Sequence, residues 1–134
     1  MSDWNTQVIN EFRAKGGKVA QFGDAPLVIL HTIGAKSGEL REIPLVAHVD
    51  GDEMHVFASK AGAPSNPDWA YNLRANPEID VEYLTETFRA NVVELDAAAG
   101  DEKLTAQAEL MPMFAEYRES AKPRVIPVFR LDRI

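Results

Sequence analysis

Apolar positions recur along this chain with two different periods, and the switches between them mark its elements. Trp4, Val8, Ile9 and Phe12 lie three to four residues apart, the spacing that lines up side chains on one helical face. Ser2 or Asp3 offers a cap and Gly16-Gly17 a stop, so a helix is predicted over 3–15. Leu27-Val28-Ile29-Leu30 is a short β-branched run between Pro26 and Gly34, predicted as a buried strand. Ile43, Leu45, Ala47 and Val49 then alternate with Pro44, Val46, His48 and Asp50. Asp50-Gly51-Asp52-Glu53 reverses the chain into 54–59, and a hairpin is expected there.

The loop over 59–66 carries Gly62 and Pro64, after which Asn66 as cap and Pro67 at the first helical position predict a short helix closed by Asn76-Pro77. Trp69 and Leu73, four apart, share its buried face. Ile79, Val81 and Tyr83 alternate with acids, and 88–95 follows a polar turn as the second half of another hairpin. Residues 97–117 read as a helix with Leu104, Ala108 and Met111 on one stripe, kinked or broken at Pro112. A last strand is predicted over 125–131. Six strands joined mostly as hairpins, with few alternating helices, imply an α+β chain built on a closed or split antiparallel β-barrel. A single domain over 1–134 is expected, because 134 residues suit one core and no linker or repeat interrupts the pattern.

Composition narrows the chemistry. With 46% hydrophobic and 26% charged residues the chain is ordinary for a folded protein. It contains no cysteine, which excludes disulfides, thiolate metal sites, iron–sulfur clusters and cysteine nucleophiles. Redox chemistry therefore requires a bound cofactor. No apolar run is long enough for a membrane span and the N-terminus lacks a signal pattern, so a cytoplasmic location is expected. The net charge of −7 opposes nucleic acid and anionic membranes as partners. Its distribution is uneven: 78–102 holds eight acids and one base, while 118–134 holds five bases and two acids. An anionic ligand is expected to prefer the C-terminal side.

Metal, serine and nucleotide-loop chemistry find little support. The hairpin register makes His48 and His55 cross-strand neighbours, but two ligands are not a site, and His31 reads as a satisfied core histidine; no metal is predicted. Gly34-Ala35-Lys36-Ser37-Gly38 has neither a nucleophile-elbow spacing nor a P-loop order. It does offer a glycine-flanked turn with Lys36, the Ser37 hydroxyl, main-chain N–H groups and Arg41 just beyond, the parts of an anion cradle. A second cluster, Ser59-Lys60-Ala61-Gly62, runs towards the helix start after Asn66-Pro67, and the intervening hairpin is expected to bring Lys60 back near Lys36.

The string T-I-G-A-K-S-G-E-L-R over 32–41, Ile43-Pro44-Leu45, Ala58-Ser59-Lys60-Ala61-Gly62-Ala63-Pro64, Asn66-Pro67-Asp68-Trp69 with Asn72-Leu73, and Ala75-Asn76-Pro77 carries a resemblance. Together with Arg124-Val125-Ile126-Pro127-Val128, and in this order, it resembles the deazaflavin (F420)-dependent nitroreductase and quinone reductase family, best known from actinobacteria. The resemblance implies a split barrel of the pyridoxamine-phosphate-oxidase-like, flavin-binding kind, with coenzyme F420 (an 8-hydroxy-5-deazaflavin) in a groove. By that resemblance Lys36, Ser37, Arg41 and Lys60 look like contacts to the cofactor's phosphate end. Ser59, Ala61 and Gly62 would lie near its ring, Gly38, Pro44 and Ala58 would line the site, and Trp69 and Asn72 would support the loop.

The implied function is hydride transfer from reduced F420 to a small apolar acceptor such as a quinone, an activated enone or a nitroaromatic. The family's substrate-end aromatics correspond to Phe114 and Tyr117, with Tyr117 the catalytic candidate that would hydrogen-bond the acceptor oxygen; a packing role for its ring is the alternative. Glu39 departs from the family's basic cradle, where it either weakens tail binding or pairs with Arg41. FMN in the same barrel, or a carrier that binds the deazaflavin without turnover, are the alternatives to the enzyme. Monomer and homodimer are both open.

Overall fold

The computed structural model describes residues 3–134. Helix α1 (Asp3–Ala14) leads through a 3₁₀ turn (Ala20–Phe22) into β1 (Leu27–Ile33), β2 (Leu40–Asp50) and β3 (Glu53–Phe57). A second 3₁₀ turn (Lys60–Gly62) precedes α2 (Asp68–Ala75), followed by β4 (Glu78–Tyr83) and β5 (Glu86–Glu94). Then come α3 (Ala97–Leu110), α4 (Met113–Ala121) and β6 (Val128–Arg133). The strands close in the order β1-β2-β3-β6-β5-β4, with every pairing antiparallel and β4 returning to β1. Closure leaves no unpaired sheet edge. The expected six-stranded antiparallel barrel is the fold.

The alternation in the sequence sorts side chains between the barrel interior and the helices outside it. Val28 and Leu30 point inward with Val56, Ile79, Val81 and Phe129, whereas Leu27 and Ile29 pack outward on Val8, Ile9 and Phe12 of α1. That is why β1 is a continuous apolar run: both of its faces are buried. On the opposite flank Phe57 and Val128 meet Leu104 of α3 and Phe114 of α4. No described helix is long and apolar enough to cross a membrane.

Several boundaries differ from expectation. Strand β3 stops at Phe57, because Ser59 has already turned into helical geometry at φ −73° and ψ −37°. Asn66 does not cap α2; Pro67 stands in the cap position with no side-chain cap, and the Asn66 amide oxygen accepts a hydrogen bond from Arg124 instead. Pro112 separates two helices, α3 and α4, since it has no N–H to continue the first. The last strand starts at Val128, with Val125 exposed on the segment before it. His48 and His55 do pair across β2 and β3. His48 Nδ1 lies 3.0 Å from Gln107 Oε1 of α3, while His55 is fully buried with Nδ1 unpartnered.

Candidate cofactor site

The turn between β1 and β2 and the first turns of α2 enclose a cavity of about 800 Å³, lined by residues that include Lys36, Ser37, Arg41, Ile43, Trp69 and Asn72. The turn is held rigidly. Gly38 N–H donates to Gly34 O at 2.9 Å, Gly34 N–H donates to Glu39 O at 2.8 Å, and Glu39 N–H donates to Ser37 Oγ at 3.2 Å. Gly38 supplies the left-handed φ of +71° that closes the turn, and a Cβ on Gly34 would collide with Ser37 Oγ. The Asn72 side-chain oxygen accepts from Ala35 N–H at 2.9 Å and so ties the turn to α2.

The N–H groups of Gly34, Ala35, Gly38 and Glu39 are bonded within the scaffold, which leaves those of Lys36 and Ser37, together with the side chains, to meet an anion. Among the described residues Lys36 makes no ion pair or hydrogen bond. Arg41 has only a loose exposed contact with Glu39, at 3.5 Å, one of the two alternatives raised for that acid. Ile43, buried Trp69 and half-exposed Tyr71 supply an apolar wall, and Asp68 adds one acid at the start of α2. Tyr71 and Asp68 were not singled out from sequence; their place on the helix whose Trp69 and Asn72 were predicted is the signal that marks them. The donor set fits a flat, partly apolar molecule with an anionic tail.

The predicted residues fall into two groups. Lys36, Ser37, Arg41, Trp69 and Asn72 share the cavity, but Lys60, Ser59, Ala61 and Gly62 are not part of its lining. These four form a turn against α4, with Lys60 Nζ 3.3 Å from Ser65 Oγ. Ala58 is buried in the barrel core, and Pro44 lies in β2 opposite Ile29. Lys60, Ala61 and Gly62 all have positive φ, at 49°, 53° and 82°. For the two residues other than glycine that geometry costs roughly 1–2 kcal/mol each. A Cβ on Gly62 would lie 2.9 Å from Ser120 Cβ and 3.1 Å from Tyr117 Cα, so glycine is what lets the turn approach α4. Tyr117 is half-buried on that helix, and Phe114 is buried between it and Phe57, with ring centroids 5.3 and 5.6 Å away.

The surplus of C-terminal bases does not form an anion site. Arg130 and Arg133 pair with Asp132 and Glu86 at 2.7 Å, Lys122 with Glu119 at 3.0 Å, and Arg118 with Asp101 at 3.5 Å. Arg124 is turned inward to main-chain oxygens. Sequence reasoning also missed a half-buried cluster of His31, Glu42 and Glu82, whose ligand atoms lie within 4.8 Å of one another. Arg13 Nη2 stands among them, 2.7 Å from Glu42 and 2.6 Å from Glu82, and supplies the positive charge there. Strand register assembles this cluster, with His31 opposite Glu42, so no local spacing announces it.

Comparison with known proteins shows which chains this one resembles. A chain known as an F420-H2-dependent reductase has 32% identity, covers 80% of this chain and 94% of its own, and superposes with a TM-score of 0.71. Another, described as a domain-swapped dimer, has 30% identity over 97% of this chain and 98% of its own, with a TM-score of 0.73. An F420H(2)-dependent quinone reductase of Mycobacterium tuberculosis is 38% identical over 79 residues, 58% of this chain and 53% of that protein. The chain thus spans about half the length of the curated relatives it matches. The family model for the F420H(2)-dependent quinone reductases matches residues 4–132, nearly the whole barrel and its helices, and the chain belongs to that family.

Proposed function

We propose that this chain is an oxidoreductase that uses reduced coenzyme F420 to reduce a small apolar acceptor, a quinone foremost. The observation that carries the reading is a cavity whose apolar wall of Ile43 and Trp69 meets an unpaired Lys36, in a chain of net charge −7. An uncompensated ammonium beside a rigid turn suits an anionic tail, and the relatives named above are F420-dependent reductases.

When bound, the reduced deazaflavin supplies a hydride. The chain's own residues do the rest. Lys36, Arg41 and the Ser37 hydroxyl neutralise and orient the tail, and Trp69 and Ile43 keep water from the ring. Asn72 holds the 34–38 turn in register through Ala35. Lys60 and its turn stand against α4 outside the cavity lining and would reach the bound cofactor from that side, with Gly38, Pro44, Ala58, Ser59, Ala61 and Gly62 shaping the surrounding backbone. Tyr117 donates its hydroxyl proton to the acceptor oxygen, and Phe114 backs its ring.

Fluorescence titration with F420 and with FMN tests the cofactor, and loss of reduced-F420 absorbance on adding menadione tests turnover. Saturable F420 binding with menadione-dependent oxidation is expected. Preference for FMN overturns the cofactor, and tight F420 binding without oxidation makes the chain a carrier. Tyr117→Phe is expected to lower kcat by about tenfold or more with F420 affinity unchanged, whereas equal turnover returns Tyr117 to a packing role.

A further inference from the structure

We infer that Arg124 is a positioning residue for the cofactor loop, holding the turn that carries Lys60 in its binding shape before any ligand arrives. The inference rests on the reading above, in which that turn reaches the bound cofactor. Every nitrogen of the Arg124 guanidinium is used. Nη1 donates to Ala58 O at 2.9 Å and to Asn66 Oδ1 at 2.8 Å. Nη2 donates to Ser59 O at 2.9 Å and to Ala63 O at 2.6 Å, and Nε donates to Ala63 O at 3.1 Å. The acceptors belong to four residues at the two ends of one loop, so a single planar group fixes where the loop begins and where it ends.

The middle of the loop needs that restraint. Lys60 and Ala61 both hold positive φ, which side-chain-bearing residues adopt only when their surroundings impose it. From the other side Ser120 Oγ donates to Gly62 O at 2.9 Å. Gly62 N–H donates to Ser59 O, and Ala63 N–H donates to Lys60 O, inside the clamp. A lysine at 124 has one compact donor head and cannot span both ends, whereas the guanidinium fork does. All the acceptors are neutral, so the clamp orders the loop without cancelling the charge that an anionic cofactor meets. Ordering the loop during folding removes that entropy from the binding step.

The test combines amide hydrogen exchange on the cofactor-free protein with F420 titration of wild type, Arg124→Gln and Arg124→Lys. Gly62 and Ala63 are expected to be protected in the wild type and to exchange at least tenfold faster in Arg124→Gln. F420 Kd is expected to rise at least tenfold in Arg124→Gln, and Arg124→Lys is expected to recover no more than a third of that loss. A purely structural arginine would lower the melting temperature and leave the Kd of the folded variant unchanged, which would overturn the proposal. Wild-type Gly62 and Ala63 exchanging at the rate of an unstructured peptide would overturn it without any variant. If wild type binds no F420, the cofactor assignment itself falls and takes the proposal with it. If wild type binds and Arg124→Lys or Arg124→Gln binds equally well, the positioning role alone falls.

Discussion

Arg13 and Arg124 each gather acceptors from distant parts of the chain, but the acceptors differ in charge. Arg13 meets two carboxylates, Glu82 and Glu42, with His31 Nε2 2.7 Å from Glu82. Arg124 meets three main-chain carbonyl oxygens and the side-chain amide oxygen of Asn66. Hydrogen bonding to Glu82 and then Glu42 pushes the Arg13 guanidinium further towards its charged form, whereas burial pulls Arg124 the other way. The first corner answers its cation with two carboxylates and fastens α1 to the barrel. The second fixes a loop and leaves its positive charge in place. The lysines divide in the same way: Lys103 pairs with Glu53 and Lys122 with Glu119, while Lys36 has no carboxylate among the described residues. Cations answered by acids hold elements together, and Lys36 is set apart from them by its place in the lining of the cavity.

The sharpest way to break that division is to remove Arg13. Arg13→Ala leaves Glu82, only 13% exposed, beside Glu42 without its main partner. Unfolding free energy should drop by about 1–3 kcal/mol, read from urea midpoints, while F420 affinity stays within twofold. The acid limb carries a sign. Hydrogen bonds from Arg13 and then from His31 hold the Glu82 carboxyl below its ordinary value, so its contribution is complete above the unfolded pKa of about 4.5. It is lost as the pH falls through the lower folded value, and the gap between wild type and Arg13→Ala should close there. A gap that persists at pH 2 would mean that Arg13 acts through packing of its stem.

Lys36→Ala should do the reverse. Its F420 Kd should rise about tenfold, roughly 1.4 kcal/mol, and the salt dependence of binding should flatten. Its urea midpoint should match wild type, since an exposed lysine with no partner contributes within about 0.5 kcal/mol. A variant that binds F420 normally would remove the cavity between the 34–41 turn and α2 from the site.

Much of this architecture was readable from residue order, because alternation and turn chemistry are local. The Asp50–Glu53 reversal alone gives the His48–His55 register, and Leu27 to Leu30 reads as buried because both faces are apolar. The Lys36–Arg41 cradle was legible for the same reason, as glycines and cations within one turn. The two arginine corners were not. Arg124 reaches back 58 to 66 residues for its acceptors, and a main-chain oxygen leaves no trace in a sequence. Asn66 looked like a helix cap because asparagine before proline usually is one; the guanidinium took its side chain instead. The C-terminal excess of bases misled because two of its partner acids lie on other elements, Glu86 on β5 and Asp101 on α3, while Glu119 and Asp132 pair locally.

His55 sharpens the contrast from a third side, as a buried polar group that neither charge nor hydrogen bond satisfies at Nδ1. Burial, followed by the nearby Lys103, holds its pKa below the ordinary 6.5, with Glu53 pulling upward and His48 and Arg130 adding to the depression; Asp132 also lies near. A histidine depressed on folding contributes stability that is complete above pH 6.5 and is lost as the pH falls through the lower folded value. Wild type should lose stability on that limb, and His55→Leu should lack the loss, measured as urea midpoints from pH 7.5 to 5. An unchanged limb in His55→Leu would mean that burial of His55 is not its source.

The smallest expected effect lies at Glu39. Its contact with Arg41 is 3.5 Å long between side chains 50% and 71% exposed, a geometry that contributes at most a few tenths of a kcal/mol to folding. Glu39→Gln should therefore leave the melting temperature unchanged. It also removes a negative charge from the edge of the cradle and frees Arg41 to turn towards the cavity that it lines. F420 affinity should tighten by about twofold, with the gain shrinking above about 0.3 M salt as screening shortens the reach of the lost charge. Weaker binding in Glu39→Gln would mean that the carboxylate holds Arg41 in its working position, and that this acid, unlike those around Arg13, serves the ligand rather than the fold.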